Sequence, residues 1–71
     1  MEAVLNISPR ESQVLDLLAQ EYTTKEIATQ LFISDHTVVS HRKNLMDKLG
    51  ARNAAGLVRR GFETSILKLN A

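Results

Sequence analysis

Residues 24–43 read TKEIATQLFISDHTVVSHRK and decide the fold. Apolar residues at helical spacing indicate one helix before segment 32–34 and a second helix after it. A link this short forces two helices to cross steeply. A close crossing needs a small side chain on one helix and an apolar side chain on the other, and Ala28 and Val38 meet these two needs. The stretch therefore predicts a helix-turn-helix.

Signals for the beginning and end of helices occur on both sides of this stretch. The SPRE sequence at 8–11 combines a capping serine, a proline suited to the first helical position and a capping-box glutamate. Either Thr23 or Thr24 can cap the second helix, Ser34 can cap the third, and Gly50 is a natural left-handed stop for it. The predicted helices span about residues 8–20, 23–32, 35–49 and 53–67.

Length and composition agree with one all-α, four-helix domain over residues 1–71, with the helix-turn-helix at about 24–43. The 71 residues provide room for one small core. Hydrophobic residues make up 44% of the chain and charged residues 24%, which are values typical of a globular protein. Three glycines and one proline leave long stretches free to be helical.

Several classes of site are not supported by the sequence. The absence of cysteine excludes disulfides and thiolate metal sites. His36 and His41 lie five positions apart, so on a helix they point about 140° away from each other. No serine has a plausible His-Asp partner. We therefore predict that the chain is not an enzyme and binds no metal or cofactor.

No apolar run approaches the roughly 18 residues that suggest a membrane span, and Met1-Glu2-Ala3-Val4-Leu5 does not resemble a signal peptide. We expect a cytoplasmic protein that does not associate with membranes.

Charge is distributed unevenly along the chain. Residues 1–35 hold two basic and six acidic residues (−4), whereas residues 36–71 hold seven basic and two acidic residues (+5). A basic second half suits a polyanionic partner.

The third helix, at about 35–49, has two distinct faces. At about 100° per residue, Val38, Leu45 and Leu49 share an inner face. The outer ridge lies toward the N-terminal half, which is the half that a recognition helix inserts into the major groove. Lysine can donate to guanine, serine can pair with several bases, and valine can touch a thymine methyl group. The predicted base-contacting residues are His36, Val39, Ser40 and Lys43.

Residues beside this ridge are suited to the DNA backbone. Thr37, His41 and Lys48 lie on a flank of the third helix, where they could contact phosphates and fix the register. Thr24 and Lys25 begin the second helix, where the helix dipole and free N–H groups favour a phosphate. These five residues are the predicted backbone contacts.

Two assignments stay open from the sequence alone. Arg42 has the charge of a DNA ligand, but its helical angle leans toward the core edge, where its stem could cover apolar surface. Leu57, Val58 and Phe62 on the fourth helix could belong either to the core or to a dimer seam.

The chain resembles the LuxR-type DNA-binding domain, the effector domain of many bacterial response regulators and quorum-sensing regulators. The resemblance covers about residues 7–62 and includes signatures in three helices in the right order. Its motifs are Ser8-Pro9-Arg10-Glu11, Val14-Leu15, Leu18-Ala19, Lys25-Glu26-Ile27-Ala28, Leu31-Phe32-Ile33-Ser34, Thr37-Val38, His41 and Lys48-Leu49-Gly50.

The resemblance implies a four-helix bundle in which the third helix reads DNA and the fourth often mediates dimerisation. It implies base contacts mainly from the two positions after the Thr-Val pair and from the position four beyond the first of these, which here are Val39, Ser40 and Lys43. Two positions depart from the family pattern. Val39 stands where a basic residue is common, and Glu21 stands where glycine is common. If Glu21 adopts a left-handed conformation, its side chain costs up to about 1 kcal/mol.

Taken together, these features predict a bacterial transcriptional regulator that binds double-stranded DNA sequence-specifically as a homodimer, with RNA polymerase as a further partner. The alternative is a helical protein-interaction module, of which a domain resembling region four of sigma factors is the nearest variant. His41 and the continuation from Lys48 to Asn53 into a fourth helix fit the LuxR type better.

Overall fold

The computed structural model describes residues 6–68, and this range contains four α-helices and no β-strand. Residues 1–5, which we expect not to form a signal peptide, lie outside the described residues. The predicted domain boundaries at 1 and 71 lie outside them too. The helices are α1 (Pro9–Ala19), α2 (Thr24–Leu31), α3 (Asp35–Leu49) and α4 (Ala54–Glu63). The prediction of an all-α fold with four helices is confirmed.

Each helix begins with the same capping interaction. A side-chain oxygen of the preceding residue accepts a hydrogen bond from the backbone N–H three residues later, which satisfies a donor that the helix leaves unpaired. In α1 and α2 a glutamate at that later position also accepts from the cap's own N–H, completing a capping box. The four caps are Ser8, Thr23, Ser34 and Asn53.

The three turns between helices close in a common way. Each contains one residue in the left-handed region: Glu21 (φ 69°), Phe32 (φ 57°) and Gly50 (φ 69°). The next residue in each case donates its N–H to a carbonyl five positions back, at 3.0–3.1 Å. This is the closure of a Schellman-type turn. The expectation for Glu21 is met, and the turn there is made by a residue with a side chain.

Helices α1 and α3 each pack against the other three helices, whereas α2 and α4 do not touch. Ala28 and Val38, predicted to meet at the crossing of α2 and α3, are 4% and 0% exposed. The core draws on every helix and on one residue beyond α4. Its buried apolar members are Val14, Leu15, Ile27, Ala28, Val38, Leu45, Leu49, Leu57 and Leu67.

Helix α4 ends at Glu63, four residues before the expected end at 67. Ser65 adopts a left-handed conformation (φ 64°), which turns the chain out of the helix. The N–H of Leu67 then donates to the carbonyl of Gly61 at 2.9 Å, and the Leu67 side chain is 5% exposed. The apolar tail therefore docks by folding back over α4. Leu69, counted with that tail in the sequence, lies outside the described residues.

Gly61 allows this close docking. A Cβ atom at Gly61 would lie 2.7 Å from Leu67 Cδ1 and 3.0 Å from Leu15 Cδ2. Such distances force neighbouring side chains to move. Gly56, on the same helix, has room for a Cβ atom, which would lie at ordinary van der Waals distances of 3.4 Å from Asn53 Oδ1 and 3.8 Å from Ala51 Cβ.

We expect Gly61→Ala to lower the free energy of unfolding by about 1–3 kcal/mol, because it overpacks the contact between α1, α4 and Leu67. The matched control Gly56→Ala should stabilise the protein by up to about 1 kcal/mol, because alanine loses less backbone entropy in a helix. Urea denaturation of both variants measures the two effects. Equal stability of the variants would contradict the close packing at Gly61.

Candidate nucleic-acid interface

The outward face of α3 forms a ridge over its N-terminal half. His36, Ser40 and Lys43 are exposed, and Val39 is 50% exposed. The opposite side of the helix is occupied by Val38, Leu45 and Leu49, all in the core. The predicted rotation of this helix is therefore confirmed. We name these four exposed residues the α3 ridge.

One flank of α3 carries Thr37 and His41, both half-buried. The hydroxyl of Thr37 lies 2.8 Å from the hydroxyl of its cap Ser34, so the two share a hydrogen bond at the start of the helix. His41 Nδ1 is buried and has no hydrogen-bond partner within residues 6–68. A contact of His41 with a phosphate would therefore use Nε2.

The first turn of α2 lies on the side of α3 that carries Arg42, about 100° around the helix from His41. Lys25 is exposed and Thr24 is half-buried. Arg42 of α3 reaches across and donates from Nη1 to Thr24 Oγ1 at 3.1 Å. Arg42 is half-buried. The sequence could not identify Thr24 as its partner, because the two residues lie 18 positions apart.

Lys48 has partners within the protein. Its Nζ lies 2.8 Å from Glu11 Oε1 and donates to the carbonyl of Asn6 at 2.6 Å. The Glu11 side chain is 6% exposed and that of Lys48 is 34% exposed. The phosphate contact suggested for Lys48 would thus compete with an internal ion pair that sequence reasoning did not foresee, since 37 positions separate its members.

This environment shifts the pKa of the Glu11 carboxylate. Burial by itself raises its pKa, but hydrogen bonds from Lys48 and from the Ser8 backbone N–H, together with the charge of Lys48, outweigh burial. The pKa of Glu11 therefore lies below its ordinary value of 4.5. Lys48 and Glu11 join the C-terminal half of α3 to the beginning of α1.

The structure shows which of three residues of α4 lie in the core and which are accessible to a second chain. Leu57 is 0% exposed and belongs to the core, so the suggestion that it contacts a second chain is corrected. Val58 is half-buried, and Phe62 is 38% exposed. Only the latter two present surface to a partner.

Between positions 6 and 68, no group of three or more histidine or acidic side chains could hold a metal ion. No helix in this range has the length and apolar character needed to cross a membrane.

Comparison with known proteins assigns this arrangement to a family. The sequence model of the bacterial regulatory proteins of the luxR family matches residues 5–60. The chain belongs to the LuxR family. This is a family of DNA-binding transcription regulators, and the α3 ridge of this LuxR-family chain lies on the helix that the resemblance identifies as the recognition helix.

Curated relatives of this LuxR-family chain differ in length. It is 48% identical over 52 residues to the spore germination protein GerE of Bacillus subtilis (strain 168), covering 73% of this chain and 70% of GerE. It is 49% identical over 57 residues to the transcriptional regulatory protein UhpA of Escherichia coli (strain K12), covering 80% of this chain but 29% of UhpA. The chain thus spans most of one relative and under a third of the other.

Solved structures agree with the fold. The structure of the transcription factor GerE superimposes with a TM-score of 0.86 at 32% identity, over 96% of this chain and all of that one. The Vibrio cholerae VqmA dimer, described as a LuxR-type receptor in the absence of target DNA, superimposes with a TM-score of 0.84 at 30% identity. That match covers 89% of this chain and 28% of VqmA.

The ion pair of Glu11 predicts a pH dependence of stability. Because the folded-state pKa is lowered, the contribution of the carboxylate is fully present above the unfolded-state pKa and is lost as pH falls through the folded-state pKa. We expect Glu11→Gln to lower the free energy of unfolding at pH 7 by about 1–2 kcal/mol. The difference from the parent should shrink below pH 4.5.

Urea denaturation at a series of pH values from 7 to 3 checks this expectation. Other carboxylates titrate in the same range, so the relevant quantity is the difference between parent and variant at each pH. A difference that stays constant over the whole series would contradict the lowered pKa.

Proposed function

We propose that this chain binds double-stranded DNA sequence-specifically by placing the N-terminal half of α3 in the major groove. The observation that carries the proposal is the α3 ridge: four adjacent side chains project from a helix whose other side is fixed in the core. A rigid row of polar and apolar groups on one helix is what base reading in the major groove requires. Membership of the LuxR family supports the same activity.

The residues of the ridge have different roles in this proposal. Lys43 donates to guanine O6 and N7, Ser40 pairs with a base edge, and Val39 packs against a thymine methyl group. His36 lies closest to the beginning of the helix and contacts the next base along the groove. Because Val39 carries no charge at a position that is commonly basic in the family, the preferred sequence should differ from that of relatives with a basic residue there.

Backbone contacts fix the register of the complex. Lys25 and Thr24 at the first turn of α2 bind one phosphate, where the helix dipole adds to the attraction. Thr37 and the Nε2 atom of His41 reach phosphates along the flank of α3. Lys48 uses two of its three N–H donors on the Asn6 carbonyl and Glu11, so it contributes to this set through the third donor.

A homodimer on two half-sites completes the proposal. Val58 and Phe62 lie four positions apart on α4, so they share one face, and their partial exposure leaves apolar surface for a second copy. The VqmA neighbour is described as a dimer. Two-fold symmetry of such a dimer would require a two-fold symmetric DNA site. A cytoplasmic location and a contact with RNA polymerase stay predictions.

Selection from random duplexes at a fixed salt concentration should yield a two-fold symmetric consensus. On that consensus we expect Lys43→Ala to cost about 1–3 kcal/mol and to relax the choice of base at one position in each half-site. The comparison variant Lys25→Ala should weaken consensus and random duplexes alike, because a phosphate contact carries no sequence information.

Fluorescence anisotropy with both duplexes measures these effects, and the ratio of the two affinities separates them. Lys43→Ala should lower the ratio, whereas Lys25→Ala should leave it unchanged. Equal losses on both duplexes for Lys43→Ala would contradict its role in base reading. Failure of the selection to enrich any sequence would contradict sequence-specific binding.

The dimer is tested separately with Phe62→Glu. A carboxylate on the apolar face of α4 should abolish cooperative binding to two half-sites and leave affinity for a single half-site unchanged. Arg60→Gln is the control, because Arg60 lies two positions away and points to the opposite side of the helix. Cooperative binding that survives Phe62→Glu would exclude this face of α4 as the dimer contact.

A further inference from the structure

Arg42 is a cation that the functions described so far do not use. It lies in the middle of α3, is half-buried, and donates from Nη1 to Thr24 Oγ1 at 3.1 Å. Its Nε atom is buried and has no hydrogen-bond partner within residues 6–68. The guanidinium group thus spans the crossing of α2 and α3 and reaches the first residue of α2.

No acidic side chain compensates this charge within the described part of the chain. The ion pairs in this range join Lys48 to Glu11 and both Arg59 and Arg60 to Glu63. A partly desolvated cation without an anion is unfavourable compared with a solvated one. Stability alone therefore does not explain an arginine at this position. The hydrogen-bond partner of Arg42 is the neutral residue Thr24, which begins α2.

The chemistry of the Thr24 hydroxyl links the two helices to DNA. A hydroxyl group has one donor and two acceptor lone pairs. When Thr24 Oγ1 accepts from Arg42, its own hydrogen must point away from the guanidinium group. The adjacent positive charge also polarises the O–H bond, so the hydroxyl becomes a stronger donor to an anion. Thr24 is half-buried, so its hydroxyl can reach a ligand at the surface.

We propose that Arg42 is a positioning residue for DNA binding: it orients the Thr24 hydroxyl, and with it the first turn of α2, toward a backbone phosphate. This inference rests on the proposed function, because the phosphate belongs to the duplex that α3 reads. Arg42 acts through Thr24 and does not itself contact the DNA. This hydrogen bond then adds to the packing of the two helices in holding the α2 phosphate contact at a fixed distance from the α3 ridge.

The test uses Arg42→Lys, which keeps the charge. Lysine is a flexible point charge without the planar fork of arginine, so it should not hold the Thr24 hydroxyl in the same geometry. Affinity for consensus and random duplexes is measured from low to high salt. Each phosphate neutralised by a cationic side chain contributes about 0.9 to the slope of log K against log salt concentration, and in the first turn of α2 that cation is Lys25. A decrease in the folded fraction lowers K without changing this slope, so the slope separates positioning from a merely structural role.

We expect Arg42→Lys to weaken binding to both duplexes about threefold or more at low salt and to reduce the slope by about 0.9, because the displaced first turn of α2 no longer holds Lys25 against its phosphate. Thr24→Val should have the same two effects, and Thr24→Ser, which keeps the hydroxyl, should bind like the parent. In the Thr24→Val background, Arg42→Lys should have no further effect. The control Arg52→Lys, at an exposed arginine beyond the end of α3, should leave both quantities unchanged.

Two results would overturn the inference while leaving the proposed function intact. One is duplex binding by Arg42→Lys with the parental affinity and slope. The other is an effect of Arg42→Lys that persists in full in the Thr24→Val background, which would mean that Arg42 contacts a phosphate directly. If the parent chain binds no duplex at any salt concentration, both the proposed function and the inference fail together.

Discussion

The left-handed backbone conformation of Phe32 is the constraint on which the rest of the structure depends. It reverses the chain between α2 and α3 and lets the Ile33 N–H donate to the Ala28 carbonyl at 3.0 Å. Ser34, which directly follows Ile33, then caps α3. A non-glycine residue in this region costs up to about 1 kcal/mol, and the Phe32 side chain recovers nothing by burial, since it is 94% exposed. The surrounding helices must supply that free energy.

This turn determines which side of α3 faces solvent. With Ala28 and Val38 packed at the crossing, α3 can rotate little about its own axis, because any rotation would expose buried apolar surface or bring a polar side chain into the core. The α3 ridge is therefore presented by a helix whose rotation is fixed before any ligand arrives. Preorganisation of this kind reduces the entropy lost on binding.

Most of the fold could be predicted from the sequence because its determinants are local. A cap and its N–H donor lie three residues apart, so Ser8 and Ser34 could be recognised directly. The rotation of α3 followed from helical periodicity alone. The end of α4 was harder to predict, because it depends on the docking of Leu67 against Gly61, which requires the core to be in place.

The site was predictable only in part, because some of its contacts join residues that are distant in sequence. Exposure of the ridge residues follows from their angle on one helix. The bond from Arg42 to Thr24 depends on the crossing of two helices, and no periodicity within either helix encodes that angle. The burial of Leu57 depends similarly on which side of α4 meets the core. Contacts between helices distant in sequence are set by packing, and a single sequence does not specify their geometry.

We propose that α3 enters the major groove with its N-terminal half leading. Titration of the ¹⁵N-labelled chain with a duplex containing one half-site, followed by two-dimensional NMR, shows which residues meet the DNA. We expect the largest amide shifts over residues 36–43 and the first turn of α2, with little change at the outer face of α4. Shifts confined to α4, with those of residues 36–43 unchanged, would contradict it.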